Sequence, residues 1–245
     1  MKIICGDAIE EFKKMPDNSI DLIITSPPYN LGGDFHTMSK GKRITYGDYG
    51  TCKDNLSQSD YEEWQAQFLD LAYHKIKENG NVFYNHKNRI ANFECISPLK
   101  WIFRSCFTLR QEIIWDTTNE MAFDKRRLTP CHEKIFWLSK SRTFLSNAAA
   151  LTDCWVFRNK LKRKDTGHPA TFPIELVERI LTLIPKKDNM LVCDPFMGSG
   201  TVGMACSRRA GLDFLGIEIN EDYVKIAKER IGVYGQVRMK NWLRQ

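Results

Sequence analysis

The sequence predicts an α/β fold: a doubly wound, mostly parallel sheet of seven strands, with helices on both faces and three layers in all. Two observations carry that expectation. Apolar runs of four to six residues alternate with amphipathic stretches along the chain, the βα rhythm of a sheet buried on both faces. A glycine-rich turn also stands between one such run and a helical pattern, where a doubly wound sheet places its ligand loop.

In chain order, Met1–Cys5 is the first apolar run, and Asp7 with Glu10 forms a D-x-x-E capping box opening a helix over Ala8–Met15. Ile20–Thr25 is the second strand. A helix over Tyr61–Ile76 precedes a strand at Gly80–Phe83, and further strands follow at Gln111–Trp115 and Lys134–Leu138. Over Pro173–Ile184 the residues Ile174, Leu176, Val177, Ile180, Leu181 and Ile184 share one broad face, which predicts a core helix. A strand at Met190–Cys193, a helix over Thr201–Ala210, a strand at Asp213–Gly216 and a helix over Glu221–Arg230 complete the pattern.

Length and charge bound the rest. With 42% hydrophobic residues, a chain of 245 builds one sizeable core, so one globular domain over residues 1–245 is expected. A net charge of +6 is compatible with a polyanionic partner without demanding one. The eight cysteines form no C-x-x-C pair and have no histidine at zinc spacing, which argues against a metal site. Neither a basic leader with an apolar stretch behind it nor a run of about 18 apolar residues is present, so a cytoplasmic protein is expected.

Two stretches break the βα rhythm. Residues 31–58 are rich in Gly, Lys, Thr and Asp and read as a long loop insertion, with Lys40, Lys42 and Arg43 as its cations. Residues 117–167 hold two further basic groups: Lys125, Arg126 and Arg127, then Arg158, Lys160, Lys162, Arg163 and Lys164. Alone, such runs are solvated surface. Beside a nucleic-acid chemistry site they become phosphate and base-edge contacts, and 117–167 becomes a small target-recognition region.

The glycine-rich turn is Asp194-Pro195-Phe196-Met197-Gly198-Ser199-Gly200-Thr201. Glycines 198, 200 and 203 satisfy G-x-G-x-x-G, and Glu218 stands twenty residues past Gly198 at the end of the next apolar run. Free amides at a helix start and an acidic side chain for ribose hydroxyls point to a nucleoside-containing cofactor. Only 42 residues follow Gly203, too few to complete a sheet, so the N-terminal part must supply the remaining strands in a permuted order.

The second motif is Ser26-Pro27-Pro28-Tyr29, directly after the strand Ile20–Thr25. Consecutive prolines make a stiff segment rich in carbonyl groups. The amino nitrogen of cytosine or adenine is a poor nucleophile because its lone pair is delocalised into the ring. The Ser26 hydroxyl and the Pro27 carbonyl have the chemistry to accept its two protons and concentrate that lone pair, while Tyr29 stacks on the extruded base. No covalent nucleophile is needed.

These segments, in this order, resemble the DNA amino-methyltransferases of restriction-modification systems, in the permuted class whose S/D-P-P-Y motif precedes the cofactor loop. The resemblance covers nearly the whole chain and implies a sheet of the class I S-adenosylmethionine-dependent methyltransferase type. It also implies methyl transfer from S-adenosylmethionine to a flipped base in double-stranded DNA. Ser26, Pro27, Pro28 and Tyr29 would be catalytic. Asp7, His168, Ala170, Thr171, Asp194, Phe196, Gly198, Ser199, Gly200, Thr201, Glu218 and Ile219 would face the cofactor. Serine at the first motif position leans toward cytosine-N4, with adenine-N6 as the alternative. A homodimer and a cognate restriction endonuclease are partners such enzymes can have.

Three rivals differ in chemistry. A nicotinamide oxidoreductase would use the same glycines but leaves S-P-P-Y unexplained. A DNA-binding module with a dead catalytic fold conflicts with two intact motifs. RNA or a protein amide offers a planar amino group of the same kind. Ring-carbon methylation through Pro130-Cys131 is set aside, because that dipeptide lies far downstream of a complete S-P-P-Y segment, and Cys131 is read as structural.

Overall fold

A computed structural model of the chain describes residues 1–30, 35–39, 42–46, 55–91, 94–117, 128–146, 148–157 and 173–242, with 35–39, 42–46, 91 and 233–242 as backbone. Its main sheet contains all seven expected strands: β1 (Lys2–Cys5), β2 (Ile20–Thr25), β5 (Ile76–His86), β8 (Thr108–Asp116), β9 (His132–Ser139), β11 (Met190–Asp194) and β12 (Leu212–Glu218). An eighth strand, β10 (Cys154–Val156), adds one edge, and the order is β1-β12-β11-β2-β5-β9-β8-β10. The expectation of seven is corrected by this strand, whose three residues are too few to show periodicity. Every pairing is parallel except the two made by β9, which runs antiparallel to both β5 and β8.

Two smaller pairings lie outside the sheet. Within the segment expected to be a long loop insertion, β3 (Phe35–Ser39) and β4 (Lys42–Tyr46) form an antiparallel hairpin, so part of the insertion is regular structure. Backbone hydrogen bonding overrides a polar composition once two short runs are joined tightly enough to pair. The second pairing joins β6 (Arg89–Ala91) to β7 (Glu94–Ile96).

Helices cover both faces. α1 (Ala8–Lys14) is capped by Asp7, whose carboxylate accepts the Glu10 amide at 3.1 Å, while Glu10 turns to Lys13. α2 (Gln58–Lys75) is capped by Ser57 and runs directly into β5 at Ile76. With α3 (Leu99–Ile102) they enclose a core of Phe12, Tyr61, Phe68, Tyr84, Trp101 and Phe136. On the other face α4 (Ile174–Leu183), α5 (Thr201–Ser207) and α6 (Glu221–Trp242) cover Leu22, Ile24, Phe83, Val192 and Phe214. The alternation is visible inside single strands: Val82 and Tyr84 face the first core and Phe83 the second.

This topology opens one crevice. From β2 the chain crosses through α2 to β5, whereas from β11 it crosses through α5 to β12, on the other side in the strand order. β2 and β11 are neighbours, so their C-terminal ends form the switch point at which a doubly wound sheet binds ligands.

Candidate active site

Both motifs meet at that switch point. The Thr25 hydroxyl at the end of β2 donates to Asp194 Oδ1 at the end of β11, at 2.9 Å and fully buried. Ser26–Tyr29 therefore leaves the sheet next to Asp194–Thr201.

Beyond Thr25 the proline segment is clamped from behind. The Tyr61 hydroxyl on α2 lies 2.8 Å from the Pro28 carbonyl, accepts from Gln65 Nε2 (2.7 Å) and contacts His86 Nε2 (2.6 Å). Gln65 Oε1 accepts from the Tyr84 hydroxyl (2.7 Å), which in turn accepts from the Trp101 indole (2.9 Å). Prolines already fix φ, so tying down the carbonyl removes most of the remaining freedom. The turn ends at Asn30 with φ 52°, a left-handed geometry that asparagine tolerates. Its amide pairs both ways with the Leu56 backbone (2.8 and 2.7 Å), and Arg89 donates to its carbonyl (2.6 Å).

In front of the clamp lies a polar cluster of four residues. The Tyr29 hydroxyl donates to Glu133 Oε2 at 2.9 Å and lies 2.9 Å from Ser26 Oγ. Asn85 Nδ2 reaches the Tyr29 hydroxyl (2.6 Å), Glu133 (2.8 Å) and, at the limit, Ser26 Oγ (3.5 Å). With the single tyrosine hydrogen directed at Glu133, the Ser26 contact must use the serine hydrogen, which leaves the Ser26 lone pairs as acceptors. Asn85 is 2% exposed and its Oδ1 has no donor among the described residues. An amide flip would bring that oxygen against the carboxylate, so the orientation is set. One face of the Tyr29 ring rests on His86 (4.5 Å between centroids), with Lys87 Nζ 5.3 Å from the ring centre. Burial holds His86 down to about 3, so it is neutral at physiological pH.

On the other bank, Glu218 accepts the Gly198 amide at Oε2 (2.8 Å) and the Asn220 amide at Oε1 (2.9 Å). Burial pushes its carboxyl up against these bonds. Gly200 caps α5 at φ 84°, and a Cβ there would stand 2.9 Å from the Ala227 Cβ. At Gly203 a Cβ would meet Ile231 Cδ1 on α6 at 2.4 Å and Phe214 Cε1 on β12 at 2.7 Å, so the third glycine serves close packing of α5 on both helix and sheet. Ser199 is buried, and Arg230 donates to its carbonyl (2.5 Å) and to its hydroxyl. Phe196 packs on Trp64 and Phe68 (5.5 and 4.9 Å). Thr201 is buried at the start of α5, while Asp7 and Ile219 are exposed beside the ends of β1 and β12.

Burial pushes Asp194 up to about 7, with the Glu218 charge adding and the Thr25 hydroxyl and Phe196 amide opposing. A carboxyl raised above its ordinary 3.8 contributes stability that is complete below that value and is lost as pH rises through about 7. Thermal melting from pH 4 to 8 is therefore expected to show the ligand-free wild type losing Tm relative to Asp194→Asn as pH rises. Parallel curves would contradict it. Neither Asp194, which is buried, nor Glu218, which is partly buried, has an ion-pair partner among the described residues, so the bank offers two carboxyl groups to a cation with hydroxyl donors. S-adenosylmethionine, a sulfonium with a ribose, fits that set.

Sequence reasoning missed Asn85, Glu133, Tyr61, Gln65 and Arg230. The only local signal was Asn85-His86, two polar residues ending an apolar strand. Cys131 enters through its backbone: Thr117 donates to its carbonyl from amide and hydroxyl, both at 2.9 Å, and its side chain is exposed. His168, Ala170, Thr171, Lys40, Lys125, Arg126, Arg127, Arg158, Lys160, Lys162, Arg163 and Lys164 lie outside the described residues, as do the side chains of Lys42 and Arg43.

The type II methyltransferase M.HpaI of Haemophilus parainfluenzae is 29% identical over 261 residues, spanning 94% of this chain and 74% of that protein. M.ScaI of Streptomyces caespitosus is 26% identical over 269 residues, covering 94% and 81%. Among solved structures, the cytosine-N4-specific PvuII DNA methyltransferase superposes with a TM-score of 0.70 at 20% identity, covering 97% of this chain and 92% of its own. A putative DNA modification methylase from Thermus thermophilus, complexed with S-adenosyl-L-methionine, gives 0.66 at 23% identity, covering 96% and 95%. Residues 20–229 match the family of DNA methylases acting at N6 or N4. With both motifs at the switch point and most of its length inside that match, the chain belongs to the N6/N4 DNA methylase family.

Proposed function

We propose that this S-adenosylmethionine-dependent DNA amino-methyltransferase of restriction-modification type acts on the N4 amino group of cytosine in double-stranded DNA. The observation that carries amino-methyl transfer is the directed contact between Ser26 and Tyr29, which turns the serine oxygen into an acceptor, while the choice of cytosine rests on the serine itself. S-P-P-Y, with serine first, resembles cytosine-directed members, and the PvuII enzyme sharing this fold bears the cytosine-N4 description.

When bound, S-adenosylmethionine supplies an electrophilic methyl group. Glu218 holds the ribose, and Asp194 balances the positive charge. Ser26 Oγ and the Pro27 carbonyl accept the two amino protons of the extruded base, which hinders delocalisation of its lone pair. Tyr29 stacks on the extruded base. The clamp from Tyr61 and Gln65 keeps these acceptors in place without reorganisation at the moment of reaction.

Residues 117–167, with Lys125, Arg126, Arg127, Arg158, Lys160, Lys162, Arg163 and Lys164, form the target-recognition region in this reading, and Lys40, Lys42 and Arg43 add phosphate contacts. A region of that size suits a short site read by two copies, and a nuclease with the same specificity would complete the system. No described helix is long and apolar enough to cross a membrane; the substrate places the enzyme with the chromosome in the cytoplasm.

Sequencing that detects modified bases, on DNA from cells expressing the chain, tests the assignment. N4-methylcytosine at one short motif is the expected result. N6-methyladenine there would overturn the choice of base while leaving the reaction class intact.

A further inference from the structure

We propose that Glu133 is the final acceptor of the proton leaving the target amino group, reached through Ser26 and Tyr29. This rests on the reading that Ser26 faces the base. It adds a residue that lies outside both motifs, supplied by a strand from another part of the chain.

The geometry is a directed chain of three oxygens. Ser26 Oγ is 2.9 Å from the Tyr29 hydroxyl, which is 2.9 Å from Glu133 Oε2. Proton counting orients every link the same way, from the serine toward the carboxylate. Asn85 keeps that direction: its Nδ2 donates both to the Tyr29 oxygen (2.6 Å) and to Glu133 (2.8 Å), so neither can turn round. Glu133 brings a carboxylate into direct hydrogen-bond contact with this segment, and it is half-buried, with a way out to water.

The step balances. The amino nitrogen forms the new bond to the methyl carbon with its lone pair, and the carbon–sulfur pair stays on sulfur. The nitrogen then holds one proton too many. That proton passes to Ser26 Oγ as the serine proton moves to Tyr29 and the tyrosine proton to Glu133. One positive charge on sulfur and one negative charge on Glu133 disappear together, and the neutral carboxyl later releases its proton to solvent. Glu133 is a positioning residue, because it acts through Tyr29 and not on the base.

Glu133→Gln tests this, since a glutamine oxygen can accept the same two bonds but is not basic. Single-turnover methyl transfer to a duplex carrying the mapped site is expected to slow about a hundredfold or more. The fall in wild-type rate on acidification should vanish in the variant. Binding should not change, read as S-adenosylmethionine affinity and as fluorescence of 2-aminopurine at the target position with S-adenosylhomocysteine present. Tyr29→Phe cuts the same chain, so the double variant should be no slower than Tyr29→Phe alone; this comparison also serves if Glu133→Gln alone melts early. A wild-type rate in Glu133→Gln, a slow variant that keeps the acid limb, or additive losses would each overturn the relay. If Ser26→Ala is slow while Glu133→Gln is not, only the relay fails; if both are fast, the reading of Ser26 fails with it.

Discussion

Ser26→Ala is expected to lower the rate of methyl transfer about 10²–10³-fold, the loss that follows removal of one preorganised polar contact from a reacting group. The cavity is small, because serine and alanine differ by one oxygen, and Thr25 beneath it still anchors the strand end to Asp194. S-adenosylmethionine affinity and Tm should therefore stay near wild type while turnover falls. Ser26→Asp keeps an acceptor and should retain more activity than the alanine variant. A fast Ser26→Ala enzyme would remove the serine from the chemistry.

The second large effect is expected in the cofactor loop. Gly200 combines a left-handed backbone with a neighbour that leaves no space, since its Cβ would meet the Ala227 Cβ at 2.9 Å and Ile231 Cδ1 at 3.2 Å. For Gly200→Val the left-handed conformation costs about 1–2 kcal/mol, more for a branched side chain. Overpacking against α6 adds about 1–3 kcal/mol. The sum is a large share of the stability of a domain this size. A steep drop in Tm is the expected readout, together with loss of S-adenosylmethionine binding in whatever fraction stays folded. A stable Gly200→Val protein with normal affinity would mean that this turn tolerates another conformation.

Much of this was legible in the chain. Strands buried on both faces leave runs such as Ile20-Asp21-Leu22-Ile23-Ile24, and each of the seven seen that way lies in the sheet. Both motifs were legible because their backbones need residue types with unusual conformations: paired prolines in one, glycines at positive φ in the other. Other features left no local trace. β10 is three residues long, and the β3–β4 hairpin hides in polar composition. Glu133 was invisible for a different reason. It stands at the N-terminal end of β9, and the start of a parallel strand lies at the opposite edge from the ligands; only the reversed direction of β9 brings it to the crevice. Strand direction is a property of the assembled sheet and is not written in any one run. Tyr61 and Gln65 look like ordinary helix residues until the turn they hold is in place.

The bond between Thr25 and Asp194 has an effect beyond holding two strand ends together. In the proposed reading one ligand site hangs from each end of it, so a shift of either loop is transmitted to the other. Linkage then requires that whatever factor DNA adds to cofactor affinity, the cofactor returns to DNA, whichever binds first. Thr25→Val, which deletes the donor but preserves the shape, would loosen that mutual aid while leaving each partner able to bind on its own.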